Sequence, residues 1–161
     1  MGYPTSWDRS IVENLGKTQT PAELARLVSS KLLAEGFTVH RLEWRETGSV
    51  YLAVDYGLMG QIRVSGHPNR RGKACKYNIG TWIEKTGHDR NYALRYYPVD
   101  QLPALVDDIV ADRERRMELY GIAGYAHRMD DLRKKANWEM RSHTGFFAHA
   151  RRMKMKRRGE A

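Results

Sequence analysis

Hydrophobic residues between Thr20 and Gly36 recur every three or four positions, which is the spacing of one face of an α-helix. Three further signals agree on where this helix begins: Thr20 can cap it, Pro21 suits its first turn, and Glu23 follows the cap by three residues. Gly36 favours an end at that point. The sequence therefore predicts one helix in this region, with an apolar face that packs on a sheet.

From residue 37 the hydrophobic period becomes two, which is typical of half-buried strands. Turn-forming residues at 46–48 and 57–60 divide the first part of this region, so we expect an antiparallel meander of three strands. Two later stretches are rich in aromatic and β-branched side chains and are predicted as further strands. The predicted strands are residues 37–45, 49–56, 60–65, 75–84 and 91–97.

The helical period returns after Pro98, which stops the last predicted strand. Asp100 can cap a second helix with its own apolar stripe. Glycines at 121 and 124 allow a break in the helical pattern. We expect a further helix after this break, from about Tyr125 to Arg141.

This order of elements predicts an α+β fold, with an antiparallel sheet of four or five strands, two helices on one face, and a basic helical extension at the C-terminus. A length of 161 residues suits one hydrophobic core with a terminal appendage. We divide the chain into an N-terminal arm (1–19), an α+β core domain (20–122) and a basic helical C-terminal extension (123–161).

Positive charge is concentrated near the C-terminus. The formal net charge is +9, and residues 126–161 hold 11 Lys and Arg against 4 Asp and Glu, a net of +7. Charge gathered in this way creates a field directed at polyanions, whereas an even distribution mainly improves solubility. Cys75 is the only cysteine, and no apolar run reaches the roughly 18 residues of a membrane span, so we expect a cytoplasmic protein with no membrane partner.

Nucleic acid, either DNA or RNA, is the partner that this charge favours, because clustered Lys and Arg release counterions from phosphates. The candidate nucleic-acid-binding residues lie in two places, a glycine-containing loop between two strands and the C-terminal quarter of the chain. They are Arg70, Arg71, Lys73, Arg128, Arg133, Lys134, Lys135, Trp138, Arg141, Arg151, Arg152, Lys154, Lys156, Arg157 and Arg158.

Trp138 lies away from the apolar stripe of its predicted helix, with Lys134 one turn before it and Arg141 one turn after. An indole beside two cations can stack on an unpaired base while the cations hold its phosphates. The alternative is that the indole packs on the domain body and the charges form a solvated face. The loop at 65–73 is likewise either a binding loop or a hairpin loop whose charges prevent edge pairing.

No catalytic set emerges from the spacing of residues. Asp55, Glu84 and Asp89 could supply carboxylates to a metal-dependent nuclease, but the Glu-x-Lys spacing of many nuclease cores is missing. The sequence also has no phosphate-cradling glycine-rich loop of the P-loop or dinucleotide type. We therefore expect a non-catalytic protein with no cofactor and no metal site, and we rank the nuclease as a lower alternative.

Two resemblances add to these predictions. The segment Ile62–His67 resembles one in small proteins of phages and mobile elements, which implies such an origin. The order helix, three strands, helix resembles the double-stranded RNA-binding domain in topology. That family has a Gly-Ser-Lys-Lys type cluster at the start of its second helix, where this chain has Val99–Pro103, so no binding residue carries over.

The sequence thus predicts a non-catalytic nucleic-acid-binding accessory protein of a phage or mobile element, docking on phosphates through its basic C-terminal segment. The alternative is a protein-binding regulator, such as an anti-CRISPR-like inhibitor of a host or defence complex. That reading draws on the aromatic-rich strands, because protein interfaces favour Tyr, Trp and Arg. The sequence predicts no oligomeric state.

Overall fold

The structure is a computed structural model that describes Glu13, Leu15 and residues 20–43, 48–65, 75–80 and 92–157. For residues 75–80, 92–94 and 152–157 it describes the backbone alone. The fold class is α+β, as the sequence predicted, and the described residues form an antiparallel sheet and three helices.

Helix α1 spans Pro21–Ala34. Its N-terminus is capped by Thr20, whose hydroxyl accepts a hydrogen bond from the Glu23 amide at 3.2 Å. This bond satisfies one of the amides that have no partner within the first turn of a helix. Leu24, Val28 and Leu32 form the buried face of α1, so the predicted start and the predicted apolar face are both confirmed.

The strands follow one another across the sheet in chain order, each antiparallel to the next. The meander predicted between residues 37 and 65 is confirmed, with each strand shorter than expected. A left-handed turn ends β2 early, since Asp55 and Tyr56 have φ values of 49° and 57°. The strands are β1 (Val39–Glu43), β2 (Val50–Val54), β3 (Gln61–Val64), β4 (Cys75–Gly80) and β5 (Tyr92–Tyr97).

Helix α2 spans Leu102–Arg141 and is interrupted at Gly121, whose φ of 75° and ψ of 160° are accessible essentially to glycine alone. The break predicted at this glycine is confirmed. It separates a proximal segment (102–120) from a distal segment (122–141). Helix α3 spans Gly145–Arg157.

The start of α2 differs from the prediction. Asp100 lies in a short 3-10 turn, Val99–Gln101, and does not cap the helix. The Gln101 amide donates to the Pro98 carbonyl at 3.0 Å and closes this turn before the α-helix begins.

Apolar residues of the sheet, α1 and the proximal segment of α2 share one core, in which Leu32, Leu52, Ile62, Leu105 and Ile109 are completely buried.

A buried carboxylate at the end of β2 joins three parts of the fold. Oδ1 of Asp55 accepts from the Thr38 amide at 2.8 Å, and the Asp55 amide donates to the Thr38 carbonyl at the same distance. Oδ2 of Asp55 accepts a hydrogen bond from the Tyr125 hydroxyl on the distal segment of α2. Burial and the contact with Asp55 raise the pKa of Tyr125, which keeps the phenol protonated as the donor.

A second polar cluster ties β5 to the proximal segment of α2. The Tyr97 hydroxyl donates to Asp108, and Arg95 lies 3.3 Å from Oδ1 of Asp112. Arg115 reaches the same oxygen at 3.0 Å. The Asp112 side chain is only 5% exposed, and its Oδ2 has no hydrogen-bond partner among the described residues. Burial therefore raises the pKa of Asp112 despite the two guanidinium groups beside it.

Replacing Tyr125 with Phe should lower the free energy of unfolding by about 1–3 kcal/mol, because Oδ2 of Asp55 would stay buried without its donor. Tyr96→Phe is the matched control, since the structure gives the Tyr96 hydroxyl no hydrogen bond among the described residues. Urea denaturation of both variants measures the difference. Equal midpoints would show that the Tyr125–Asp55 bond does not hold the distal segment.

The raised pKa of Asp112 predicts a pH-dependent contribution to stability. The folded protein keeps the proton to higher pH than the unfolded chain, so this contribution is present below the ordinary value of 3.8 and is lost as pH rises. Asp112→Asn should therefore be most favourable, relative to the wild type, near neutral pH. That relative advantage should shrink as pH falls toward 3.8, as measured by urea denaturation across pH.

The contrasting variant is Asp130→Asn, because hydrogen bonds from Arg133 and Lys134 lower the pKa of Asp130. A lowered pKa gives the opposite sign, with stability lost as pH falls. If the Asp112 and Asp130 variants showed the same trend with pH, the assignment of a burial-dominated pKa to Asp112 would be wrong.

Candidate nucleic-acid interface

The distal segment of α2 has one buried and one exposed face. Tyr125 and Ala136 lie in the buried face. Lys134, Trp138 and Arg141, which stand one helical turn apart, lie in the exposed face, and we call these three residues the Trp138 face. The indole of Trp138 is 60% exposed and the Lys134 side chain is 67% exposed. The indole is therefore available to a ligand.

Some of the predicted cations are already paired within the helix. Asp130 accepts from Nη2 of Arg133 at 2.6 Å and lies 3.2 Å from Nζ of Lys134. Lys135 and Arg141 are exposed and have no ion pair among the described residues. Free positive charge on the distal segment therefore comes mainly from these two side chains.

Arg128 is placed differently from the other predicted binding residues. Its guanidinium lies over the ring of Tyr120, 3.9 Å from the ring centroid. A cation stacked at this distance stabilises the ring packing and is held across the kink at Gly121. Arg128 therefore bridges the two segments of α2.

A tight turn joins α2 to α3. The Thr144 amide donates to the Glu139 carbonyl at 3.0 Å and the His143 amide to the Met140 carbonyl at 3.4 Å. His143 has a φ of 56°, which completes the pattern of a Schellman motif. The Glu139 carboxylate lies against Gly145, at the positive N-terminal end of α3.

Helix α3 packs against the sheet at β1. The ring of Phe147 meets His40 edge-on at a centroid distance of 4.9 Å and lies 6.2 Å from the ring of Tyr56. Ala148 in the next position is 3% exposed. This contact could not be predicted from the sequence, because a Phe-Phe pair next to a basic run has no hydrophobic period that indicates what it packs against.

The remaining predicted site residues divide into three groups. Arg151 is exposed on α3 and has no ion pair among the described residues. Arg152, Lys154, Lys156 and Arg157 continue α3, where the backbone alone is described. Arg70, Arg71, Lys73 and Arg158 lie outside the described residues.

The three carboxylates considered as metal ligands are either engaged within the fold or lie outside the described residues. Both carboxylate oxygens of Asp55 are engaged by Thr38 and Tyr125. Glu84 and Asp89 lie outside the described residues. Within the described part of the chain, no three His, Cys, Asp or Glu side chains come close enough to hold a metal ion. Within the same part, no helix has the length and apolar character needed to cross a bilayer.

Comparison of the chain with protein-family models, with curated proteins and with solved structures gave no match.

Removing the Phe147 ring should release α3 from the sheet. Truncation of a phenylalanine in a core costs roughly 3–5 kcal/mol, and a half-buried ring should lose about half of that. In Phe147→Ala we therefore expect amide hydrogen exchange in α3 to accelerate by about tenfold or more, while exchange in α1 changes little.

Phe146→Ala is the matched control, because the Phe146 ring is also half-buried but its described ring contact is to Phe147 alone. It should accelerate exchange less than Phe147→Ala. Similar acceleration in both variants would mean that the contact with His40 and Tyr56 does not fix α3.

Proposed function

We propose that this protein is a non-catalytic nucleic-acid-binding accessory protein of the cytoplasm, encoded by a phage or mobile element, that docks on phosphates through residues 128–158. The observation that carries the proposal is the Trp138 face, an exposed indole with Lys134 and Arg141 one turn to either side. Glu139, the acidic residue next in sequence, is turned toward Gly145. An aromatic ring between cations suits a base between phosphates.

The ion pairs of Asp130 indicate which cations of the distal segment are available to bind phosphate. Arg133 and Lys134 share one carboxylate, so their attraction for phosphate is reduced. Lys135, Arg141 and Arg151 have no such partner among the described residues. We assign them the main phosphate contacts, together with the cations from Arg152 to Arg158.

We also propose that α1 and α2 cover one face of a sheet of up to five strands and that the region after residue 122 is a basic extension. Two contacts support the placement of the helices: Arg41 of β1 donates to the Ala22 carbonyl of α1 at 3.1 Å, and Tyr97 of β5 donates to Asp108 of α2. The kink at Gly121 supports a boundary at this point.

A protein-binding regulator is the second candidate, favoured by one observation. Leu119 and Ile122 flank the kink in α2 and are 53% and 78% exposed. Apolar side chains grouped on a surface commonly mark protein contacts. A partner that stays bound after nuclease digestion of the complex would favour this candidate over nucleic-acid binding.

Charge variants on the distal segment test the first proposal. Replacing Lys135 and Arg141 together with Gln should weaken binding to duplex DNA and reduce the slope of log affinity against log salt by roughly 1.8, since each phosphate contact contributes about 0.9. Asp130→Asn should strengthen binding, because it releases Arg133 and Lys134. Fluorescence anisotropy over a salt series measures both effects.

Arg26→Gln is the control, since Arg26 is an exposed cation on α1. A chain ending at Arg151 keeps Phe147 and Ala148 in place while removing the last basic residues, and it should bind more weakly than the full chain. Equal affinity of all these proteins would contradict the assignment of the C-terminal segment to phosphate binding.

A further inference from the structure

The strand register places aromatic and basic residues in one row across the sheet. Tyr51 of β2 pairs with Arg63 of β3, Arg63 with Lys76 of β4, and Lys76 with Tyr96 of β5. Residues paired in this way lie on the same face of a sheet. We call Tyr51, Arg63, Lys76 and Tyr96 the sheet row.

The sheet row lies on the face opposite to α1 and α2. Successive residues of a strand alternate between faces. Arg95 and Tyr97, which contact α2, are therefore on one face, and Tyr96 between them is on the other. The same register places Arg41, which contacts α1, on the face of Arg95 and Tyr97.

Within the five described strands, the face of the sheet row carries no acidic residue. Glu43 is the only acidic residue within the five strands, and it lies on the helix-covered face beside Arg41. The neighbouring positions on the row's own face are uncharged, with Gln61 exposed to solvent. Basic residues at positions 63 and 76, with no acidic residue at the described strand positions of the same face, make this part of the sheet complementary to a polyanion.

The described side chains of the row are partly accessible. Tyr51, Arg63 and Tyr96 are each half-buried. The guanidinium of Arg63 lies 5.9 Å from the centroid of the Tyr51 ring and has no ion pair among the described residues. A ring and a cation held side by side on a rigid sheet are ordered before any ligand binds, which lowers the entropy lost on binding.

We propose that the sheet row is a binding site for single-stranded nucleic acid, with unpaired bases stacked on Tyr51 and Tyr96 and a phosphate bound by Arg63. The two tyrosines are three strands apart, about 14 Å, which leaves room for intervening nucleotides between them. This inference rests on the proposed function and names its substrate class. Duplex cannot use the tyrosines, because its base faces are stacked on one another.

Helix α3 lies at one end of this surface. Phe147 contacts His40 of β1. The strand register places His40 on the same face of the sheet as the sheet row. The basic residues that follow Phe147 therefore begin beside the row's edge. A nucleic-acid strand that extends past the sheet row at β2 can continue onto the cations of α3. One ligand can therefore contact both the sheet row and α3.

Fluorescence anisotropy with a short labelled single strand and its duplex tests the inference, using the full chain and both DNA and RNA versions. Tyr96→Leu should weaken single-strand binding by about tenfold, the size expected for one stacked base. Arg63→Gln should weaken single-strand binding and reduce its salt slope by roughly 0.7, the size expected for one phosphate contact. Both variants should change duplex binding little. Tyr96→Phe keeps the ring and should bind like the wild type. Arg26→Gln controls for loss of a positive charge, and unchanged urea midpoints control for folding.

The outcomes separate this inference from the proposal it rests on. A selective loss of single-strand affinity, with rescue by Tyr96→Phe, supports the sheet row, and the DNA and RNA arms identify the polymer. Unchanged single-strand affinity in Tyr96→Leu and Arg63→Gln overturns the sheet row while binding through the C-terminal segment stands. Absence of wild-type binding to either form overturns both.

Discussion

The carboxylate of Asp55 is the interaction on which the arrangement of this molecule depends. It is buried at the end of β2 and accepts hydrogen bonds from the start of the sheet, at Thr38, and from Tyr125 after the kink in α2. A buried carboxylate without donors would be strongly destabilising, so both partners are fixed by the same group. The direction of the distal segment of α2 follows from this contact, and with it the position of the Trp138 face and of α3.

The charges of the fold are sorted by position. Carboxylates beside the proximal segment of α2, at Asp108 and Asp112, pair with side chains of β5 and join sheet to helix. Asp130 on the distal segment pairs instead with cations of its own helix. The opposite face of the sheet has cations and tyrosines without acids within the strands. Lys135 and Arg141 have no ion pair among the described residues, so the distal segment keeps positive charge beside the Asp130 pairs that can attract a polyanion.

The two proposed binding surfaces are connected by α3. Its first turn is fixed by Phe147 against His40, and the Schellman motif at His143 fixes its angle to α2. The Trp138 face precedes the Schellman motif along the chain. The sheet row lies beside the contact between Phe147 and His40. Binding across both surfaces would gain affinity by linkage, since a ligand held at one meets the other at high local concentration.

Local patterns in the sequence determined the individual elements. The cap at Thr20, the alternation in the first three strands and the break at Gly121 each depend on residues within a few positions, and each is present in the structure. The concentration of positive charge near the C-terminus could also be read directly. What only the tertiary structure decided was which residues meet across the chain. Tyr125 reaches Asp55 and Phe147 reaches His40 over separations that no local period encodes, and the sheet row exists because antiparallel register brings together residues from four strands. A sequence pattern relates residues that are close along the chain, whereas a binding surface is formed by residues that are close in space.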